Sequence, residues 1–420
     1  MANLSRKLFG VFLPGVALAA TTAACGGDGA EPYDVRIDTF NIGLAGAFVP
    51  FEEERRGPLV EAIAAMDSDI VCIQEAWSQS DKERIIEGAR ASFPHSLAFM
   101  HDLDTPIDDP TDQSGTIPPA PTMPPCAGMY EANLDAALTC LRDNCSTIPG
   151  SDEGHTTSSA CAEERCIESV TTLLLGGDDS LQCYACLATN LPTESFGDMR
   201  QLCTTEPNAT LAFRGQSGVL ILSKHPLRDG EAYVLPGTWN RRVVAAATVE
   251  LPNGRDVDVY CNHLTPIFDS LAFPYTGAYG NDQVGADAWA AEQLLQAEKL
   301  IAYVGRRSGE RPAFVLGDMN AGPASMGVVD EGRATYERLA GAFAPAVAAG
   351  FVPRCTHCPD NPNVSDASAP VWIDHIFLHG IDPSAVQSTE VTFTEATVST
   401  PSGNVPLSDH YGLRSVVTVE

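Results

Sequence analysis

The chain has 420 residues, 44% of them hydrophobic, and a formal charge of −30 against only 25 Lys and Arg. Length and apolar content exclude general disorder and a minimal domain, and leave room for one large domain plus an addition. The charge excludes capture of a polyanion by the surface as a whole, so contact with nucleic acid needs metal ions or a local basic patch.

At the N-terminus, Arg6 and Lys7 precede an apolar run from Leu8 to Ala20 that is too short to span a bilayer as a mature helix. Small residues then lead through Thr22-Ala23-Ala24 to Cys25-Gly26-Gly27. This is similar to a bacterial lipoprotein cleavage site. It implies a signal over 1–24, lipidation of Cys25, and a tether over 25–33 holding the protein to a membrane. Cleavage after Ala20 or Ala24, releasing a secreted protein, is the alternative. Both place the chain outside the cytoplasm, where thirteen cysteines can oxidise.

Asp34 to Phe40 alternates, with Val35, Ile37 and Thr39 on one face, as a half-buried strand does. A helical pattern follows over Leu59 to Met66. Asp69 to Ile73 reads as a buried strand ending in Gln74-Glu75, and Lys82 to Ala91 returns to helical spacing. From 101 to 214 the character changes. Proline and aspartate come first, then eight cysteines between Cys126 and Cys203, with 18 acids against 4 arginines. Cys140 and Cys145 are followed 21 residues on by Cys161 and Cys166, which hints at a repeat. Helical patterns cover Tyr130 to Leu141 and Ala160 to Leu175. The segment reads as an acidic, mainly helical insertion stapled by disulfides. Zinc is the alternative for Cys183-Tyr184-Ala185-Cys186. The run Asp102, Asp104, Asp108, Asp109 and Asp112 is a solvated acidic loop or a calcium site, although it lacks the glycine and terminal glutamate of an EF-hand loop.

Strand rhythm then resumes. Ser217 to Ser223 is a strand, and Arg242 to Glu250 with Asp256 to Cys261 forms a hairpin across Pro252-Asn253-Gly254. Ala288 to Val304 is an amphipathic helix. Ala313 to Leu316, Val371 to Leu378 and Leu413 to Val419 are strands. Cys355-Thr356-His357-Cys358 is a tight disulfide loop or a zinc half-site. Residues 34–100 and 215–420 therefore predict one α+β domain, two packed sheets with helices outside.

Polar groups cluster where these apolar runs end. Hydrolysis of a phosphate ester needs charge neutralisation, an activated water and a stabilised leaving oxygen. Glu75, just past a buried strand, suits a hard cation, though alone it could be a surface acid. Asp318 and Asn320, two apart, face one way in an extended segment; a turn would use the same residues. Asp409-His410 pairs an acid with an imidazole fit for a general base, and His263 supplies a second imidazole.

The order Asn41, Glu75, His263, Asp318-Met319-Asn320, Asp374, Asp409-His410 resembles the endonuclease/exonuclease/phosphatase superfamily from Val35 to Val419, the insertion excepted. The resemblance implies a two-layered β-sandwich flanked by helices, of the deoxyribonuclease I-like kind. It implies Mg²⁺, or Mn²⁺ or Ca²⁺, held by Glu75, Asn41 and Asp409. His410 is then the general base, paired with Asp409. Asp318 orients water, Asn320 and Asn41 hold phosphate, and His263 acts as acid or phosphate ligand. Asp374 takes a second metal position or partners a histidine. The segment Thr238 to Arg242 resembles one that grips DNA phosphate, making Arg241 a substrate contact. The implied activity is a phosphodiesterase or endonuclease. A sphingomyelinase-like phospholipase C is the alternative, with the aromatic loop from Leu264 to Tyr279 against lipid. A second alternative is a non-catalytic surface protein that binds through the insertion. No protein partner can be inferred from the sequence.

Overall fold

The computed structural model describes residues 31–106, 121–157, 159–191, 193–270, 272–364 and 368–420. The expected signal, Cys25, Asp108, Asp109 and Asp112 lie outside these residues. In chain order the first half contains β1 (Tyr33–Leu44), α1 (Glu52–Ala64), β2 (Ile70–Ala76), α2 (Gln79–Ala89) and β3 (His95–Ala98). Five helices follow: α3 (Glu131–Asn144), α4 (Ser159–Arg165), α5 (Ile167–Leu174), α6 (Asp178–Asn190) and α7 (Phe196–Thr205). Next come β4 (Leu220–Ser223), β5 (Leu227–Leu235), β6 (Arg242–Glu250), β7 (Asp256–His263), α8 (Gly285–Ser308) and β8 (Ala313–Asp318). The last part holds α9 (Arg333–Ala342), β9 (Ala344–Pro345), β10 (Asp374–His379), β11 (Val386–Thr392), β12 (Thr397–Thr400), β13 (Gly403–Pro406) and β14 (Gly412–Val419).

Two six-stranded sheets form, in the orders β11-β14-β1-β2-β4-β3 and β5-β6-β7-β8-β10-β9. Each is antiparallel except for one central parallel pair, β1 with β2 and β7 with β8. Their facing sides bury one shared core. Val35 and Ile37 of β1, Cys72 of β2, Val257 and Val259 of β7, and Phe314 and Leu316 of β8 all belong to it. The opposite faces are covered too. Phe40, Ile42, Val71 and Ile73 pack with Leu59 and Ile63 of α1 and Ile85 of α2. Val244, Tyr260 and Val315 pack with Ala297 and Leu300 of α8. The α+β sandwich flanked by helices is therefore as expected. β1 differs in being buried on both faces from Ile37 onward, because α1 and α2 lie over its outer side. β5 escaped notice in the sequence because it is an edge strand whose Arg228 to Glu231 stretch faces solvent.

Six disulfides form among the described residues. Four of them, Cys126–Cys183, Cys140–Cys166, Cys145–Cys161 and Cys186–Cys203, staple α3 to α7 together. Cys183 and Cys186 thus serve two separate bridges and not one zinc site, and Cys355–Cys358 closes a loop. The expected helix from Ala160 to Leu175 breaks at Cys166, which leaves helical geometry between α4 and α5. Cys72–Cys261 ties β2 to β7 and so locks the two sheets to each other.

Candidate active site

Side chains alternate along a strand, so every second residue of these sheets points into the sandwich. Those inward rows run 35-37-39-41 on β1, 257-259-261-263 on β7 and 314-316-318 on β8. At one end of the sandwich the rows change from apolar to polar, giving Asn41, His263 and Asp318. The strand polarity explains why they meet. β1, β2, β7 and β8 all end there, while β10 and β14, antiparallel to their neighbours, begin there. Asp318 lies beside His263 across the parallel pair and beside Asp374 across the antiparallel one.

Glu75 joins them by breaking the alternation. Its φ of +60° turns the side chain inward beside Gln74, a conformation that costs a non-glycine residue on the order of 1–3 kcal/mol. Asn41 then bridges the two sheets. Its Nδ2 donates to Glu75 Oε1 at 3.1 Å and to Asp318 Oδ2 at 2.9 Å. Gly43, at φ +56°, lets the next turn approach closely. A Cβ there would sit 2.5 Å from Asp409 Oδ1. Gly317 is tighter still, with a Cβ position 1.9 Å from the Asn262 carbonyl.

His410 Nδ1 lies 2.8 Å from Asp374 Oδ2, and its Nε2 is 3.8 Å from Asp318 Oδ2. Its partner is therefore Asp374 and not the adjacent Asp409. Neighbours in an extended segment point opposite ways, and Asp409 turns toward Gly43. His263 Nε2 stands 3.5 Å from Asp318 Oδ2 and 3.9 Å from Glu75 Oε1. The metal role expected of Asn41 also changes. Its Oδ1 accepts from Gly43 N at 3.1 Å, so the amide presents donors, not an oxygen, to the carboxylates. Asn320 is displaced from its expected pose because φ is +46° and the run is no longer extended there. Its backbone N–H donates to Asp318 Oδ1 at 2.8 Å, and its Nδ2 donates to the Leu264 carbonyl at 2.8 Å.

Arg241 does not reach this group. Its guanidinium donates to the Gly215 carbonyl at 2.5 Å and the Asp102 carbonyl at 2.7 Å, at the foot of the helical segment. Arg242, one residue on, takes the opposite side. It is buried with its charge facing Glu75, Asp318 and Glu292, and its Nε and Nη1 find no partner among the described residues. The sequence does not single out Arg55, and it marks His357 only within the Cys355 to Cys358 loop. Arg55 of α1 staples the end of β1 to the segment before Ser408, donating to the carbonyls of Ile42 and Leu407 at 3.0 Å and of Gly43 at 2.5 Å. His357 lies against His410, with ring centres 5.1 Å apart and the ring planes tilted by 53°. Neither carries a local signal for this site, since each is brought to it by long-range packing.

Burial dominates the electrostatics. It pushes Asp318 up to about 7, helped by Asp374, and raises Glu75, helped by Asp409. Burial holds His263 well below the usual range, helped by the Arg242 and His410 charges. His410 goes the other way, because Asp374 and Asp318 outweigh its desolvation. The result is an excess of buried carboxylates facing too little positive charge. Asp318, Asp374 and His410 offer ligand atoms within 4.8 Å of one another, as do His357, Asp409 and His410.

A family model described as Endonuclease/Exonuclease/phosphatase family matches residues 39–410. No curated protein matches the chain. Among solved structures, a beta toxin from Staphylococcus aureus aligns over 91% of this chain and 99% of its own, with 12% identity and a TM-score of 0.50. Sphingomyelinase C from Streptomyces griseocarneus aligns over 92% and 99%, with 15% identity and a TM-score of 0.47. An endonuclease/exonuclease/phosphatase from Beutenbergia cavernae aligns over 92% and 72%, with 16% identity and a TM-score of 0.46. At 12% identity the likeness to the beta toxin is one of fold.

Proposed function

Because this chain belongs to the endonuclease/exonuclease/phosphatase family, we infer that it hydrolyses phosphoric diesters with the help of a divalent cation. The observation that carries this reading is the convergence of Glu75, Asp318, Asp374 and Asp409 with two imidazoles at one end of the sandwich. Oxygen donors of this kind, left with raised proton affinity by burial, fit a hard cation such as Mg²⁺. Glu75 and Asp409 would hold it, with Asp318 and Asp374 close by. When bound, the cation supplies the positive charge that offsets these carboxylates, brings His410 toward neutrality and polarises the phosphoryl group.

The remaining chemistry falls to the chain's own side chains. Asp374 fixes the His410 ring through Nδ1, which leaves Nε2 to take a proton from the attacking water. Asp318, facing that Nε2, orients the water. The new P–O bond forms as the bond to the leaving oxygen breaks, and that oxygen takes up a proton from solvent. Neutral His263 donates an N–H to a phosphate oxygen, and Arg242 offers its unpartnered guanidinium N–H groups. The products are a phosphomonoester and an alcohol.

Arg241 was the residue favouring nucleic acid, and it is committed to backbone carbonyls. With a charge of −30 on the chain, a small or amphiphilic diester is the better supported substrate. We place the protein outside the cytoplasm, tethered to a membrane by lipid on Cys25. The support is that six disulfides among the described residues take twelve of the thirteen cysteines, and Cys25 is the thirteenth. Among the described residues no helix is long and apolar enough to cross a membrane.

The test is turnover of bis-p-nitrophenyl phosphate with Mg²⁺, Mn²⁺ or Ca²⁺ and with chelator, beside the monoester p-nitrophenyl phosphate. Diester turnover that chelator abolishes and His410→Ala lowers by about 10²–10⁴-fold is expected. Metal-independent turnover, or a His410→Ala variant at near-normal rate, overturns the mechanism.

A further inference from the structure

Against the helical segment the molecule carries a groove of about 590 Å³. One wall is the helical segment, through Leu141 of α3, Val170 and Leu174 of α5, and Leu187 of α6. The other wall is built from Phe48 and Phe273. Both of these lie on loops that leave the active-site end of the sandwich. Phe48 sits four residues beyond the end of β1, the strand of Asn41, and Phe273 lies on the loop that follows His263 at the end of β7. Their rings are 6.3 Å apart. The groove therefore shares its second wall with segments that leave the strand ends carrying Asn41 and His263.

Its chemistry is unlike the rest of the molecule. The chain carries a charge of −30, and residues 101–214 contain 18 acids, yet none of the side chains lining the groove is charged. Its mouth keeps Leu175 and Ile167 at 77% and 56% exposure, large apolar groups that the fold gains nothing by leaving in water. The walls are fixed in place. Tyr184 Oη of α6 donates to the Ala272 carbonyl at 2.8 Å, and Trp289 Nε1 of α8 donates to the Phe273 carbonyl at 3.0 Å. A preformed apolar cleft of this volume is of ligand-binding size.

We propose that this groove binds the alkyl chain of the diester hydrolysed at the neighbouring site, so that the substrate is an amphiphile of the phospholipid class. The proposal rests on the phosphodiesterase reading for the reaction and on the groove for the chain. The slot's polar side chains are only the hydroxyls of Thr156, Thr171, Tyr184 and Ser270, with no charge to pair with a nucleotide phosphate or a charged peptide, whereas a hydrocarbon chain needs only to leave water. The helical segment is then the substrate-selecting wall of the enzyme.

A series of p-nitrophenyl n-alkyl phosphates from ethyl to octyl, kept below micellar concentration, tests it. The native protein should turn over the ethyl ester, and kcat/KM should rise by about fourfold per added methylene. Ala188→Trp, which fills the groove, and Leu174→Lys, which charges it, should flatten that rise while leaving the ethyl ester unchanged; the ethyl ester doubles as the check on folding. A flat series in the native protein, with the ethyl ester turned over, overturns the groove and spares the phosphodiesterase reading. Absence of any turnover overturns that reading instead, and calorimetry of the octyl ester on the native protein and on Ala188→Trp then decides the groove. Binding weakened at least tenfold by the tryptophan supports it, and equal binding overturns it.

Discussion

Asp374 and Asp409 carry the same functional group and are expected to fail differently when changed. Asp374 touches His410, so Asp374→Asn should lower kcat by about 10²–10⁴-fold while a divalent cation still raises the melting temperature. Asp409 faces Gly43 and the carboxylate cluster, so Asp409→Asn should weaken that thermal shift and recover much of its rate at high metal concentration. Identical behaviour of the two variants would undo the assignment of Asp374 as the histidine partner. His101 gives a second residue-scale expectation. Burial, then the Arg241 and Lys82 charges, lower it to about 4, while Nδ1 pairs with Ser217 Oγ at 3.0 Å. A histidine with a depressed folded-state pKa stabilises the fold fully above its unfolded value near 6.5, and that stability is lost as pH falls through about 4. The stability gap between the native protein and His101→Asn should therefore shrink between pH 7 and pH 4, by on the order of 2–3 kcal/mol. Urea titrations at the two pH values measure it, and a gap that widens toward acid contradicts the sign. In the sequence Asp409-His410 reads as one dyad because the residues are adjacent. Adjacency in an extended chain is what separates them.

At the scale of elements, the loop closed by Cys355–Cys358 holds two active-site segments together. Thr356 Oγ1 accepts from the Ile373 and Asp374 N–H groups at 3.2 and 3.3 Å, and the Thr356 carbonyl accepts from Tyr411 N at 2.8 Å. Asn361 Nδ2 adds a bond to the Ser408 carbonyl at 2.9 Å. The loop thus sets the spacing between the strand of Asp374 and the residues around His410. A bridge that closes so short a loop adds only about 2 kcal/mol by chain entropy. Cys355→Ser/Cys358→Ser should therefore cost little melting temperature but at least tenfold in kcat, with KM little changed. An unchanged kcat would make the loop a staple of the fold alone. Strands with continuous apolar or alternating patterns, such as β2, β6, β7 and β8, are legible in the sequence because burial dictates their composition. β5, β11 and β12 are not, since edge or exposed strands carry polar residues and gain their order from pairing.

Across the whole molecule the helical segment is less separable than its composition suggests. Its core includes Trp239 and Trp289 of the sandwich, buried to 4% and 0% exposure, together with Phe268 and Phe273. Deleting 121–206 should expose those rings, producing a protein that binds 8-anilinonaphthalene-1-sulfonate and melts without a cooperative transition. A soluble, cooperatively melting deletion would show the segment to be an independent addition. The sequence by itself determined the sandwich class, the helices outside it, the helical and cysteine-stapled character of the segment, and the residue types that gather at the strand ends. Those follow from periodicity, cysteine spacing and the order of polar groups, all of which are local properties of a chain. Only the tertiary structure decided which acid faces which imidazole, that Arg242 and not Arg241 turns toward the carboxylates, and that an uncharged groove opens between the helical segment and Phe48 and Phe273. Those depend on strand register, on left-handed residues such as Glu75 and Asn320, and on contacts such as Asn41 with Asp318, 277 residues apart. A one-residue shift in register reverses the face a side chain occupies, so no local pattern can fix it.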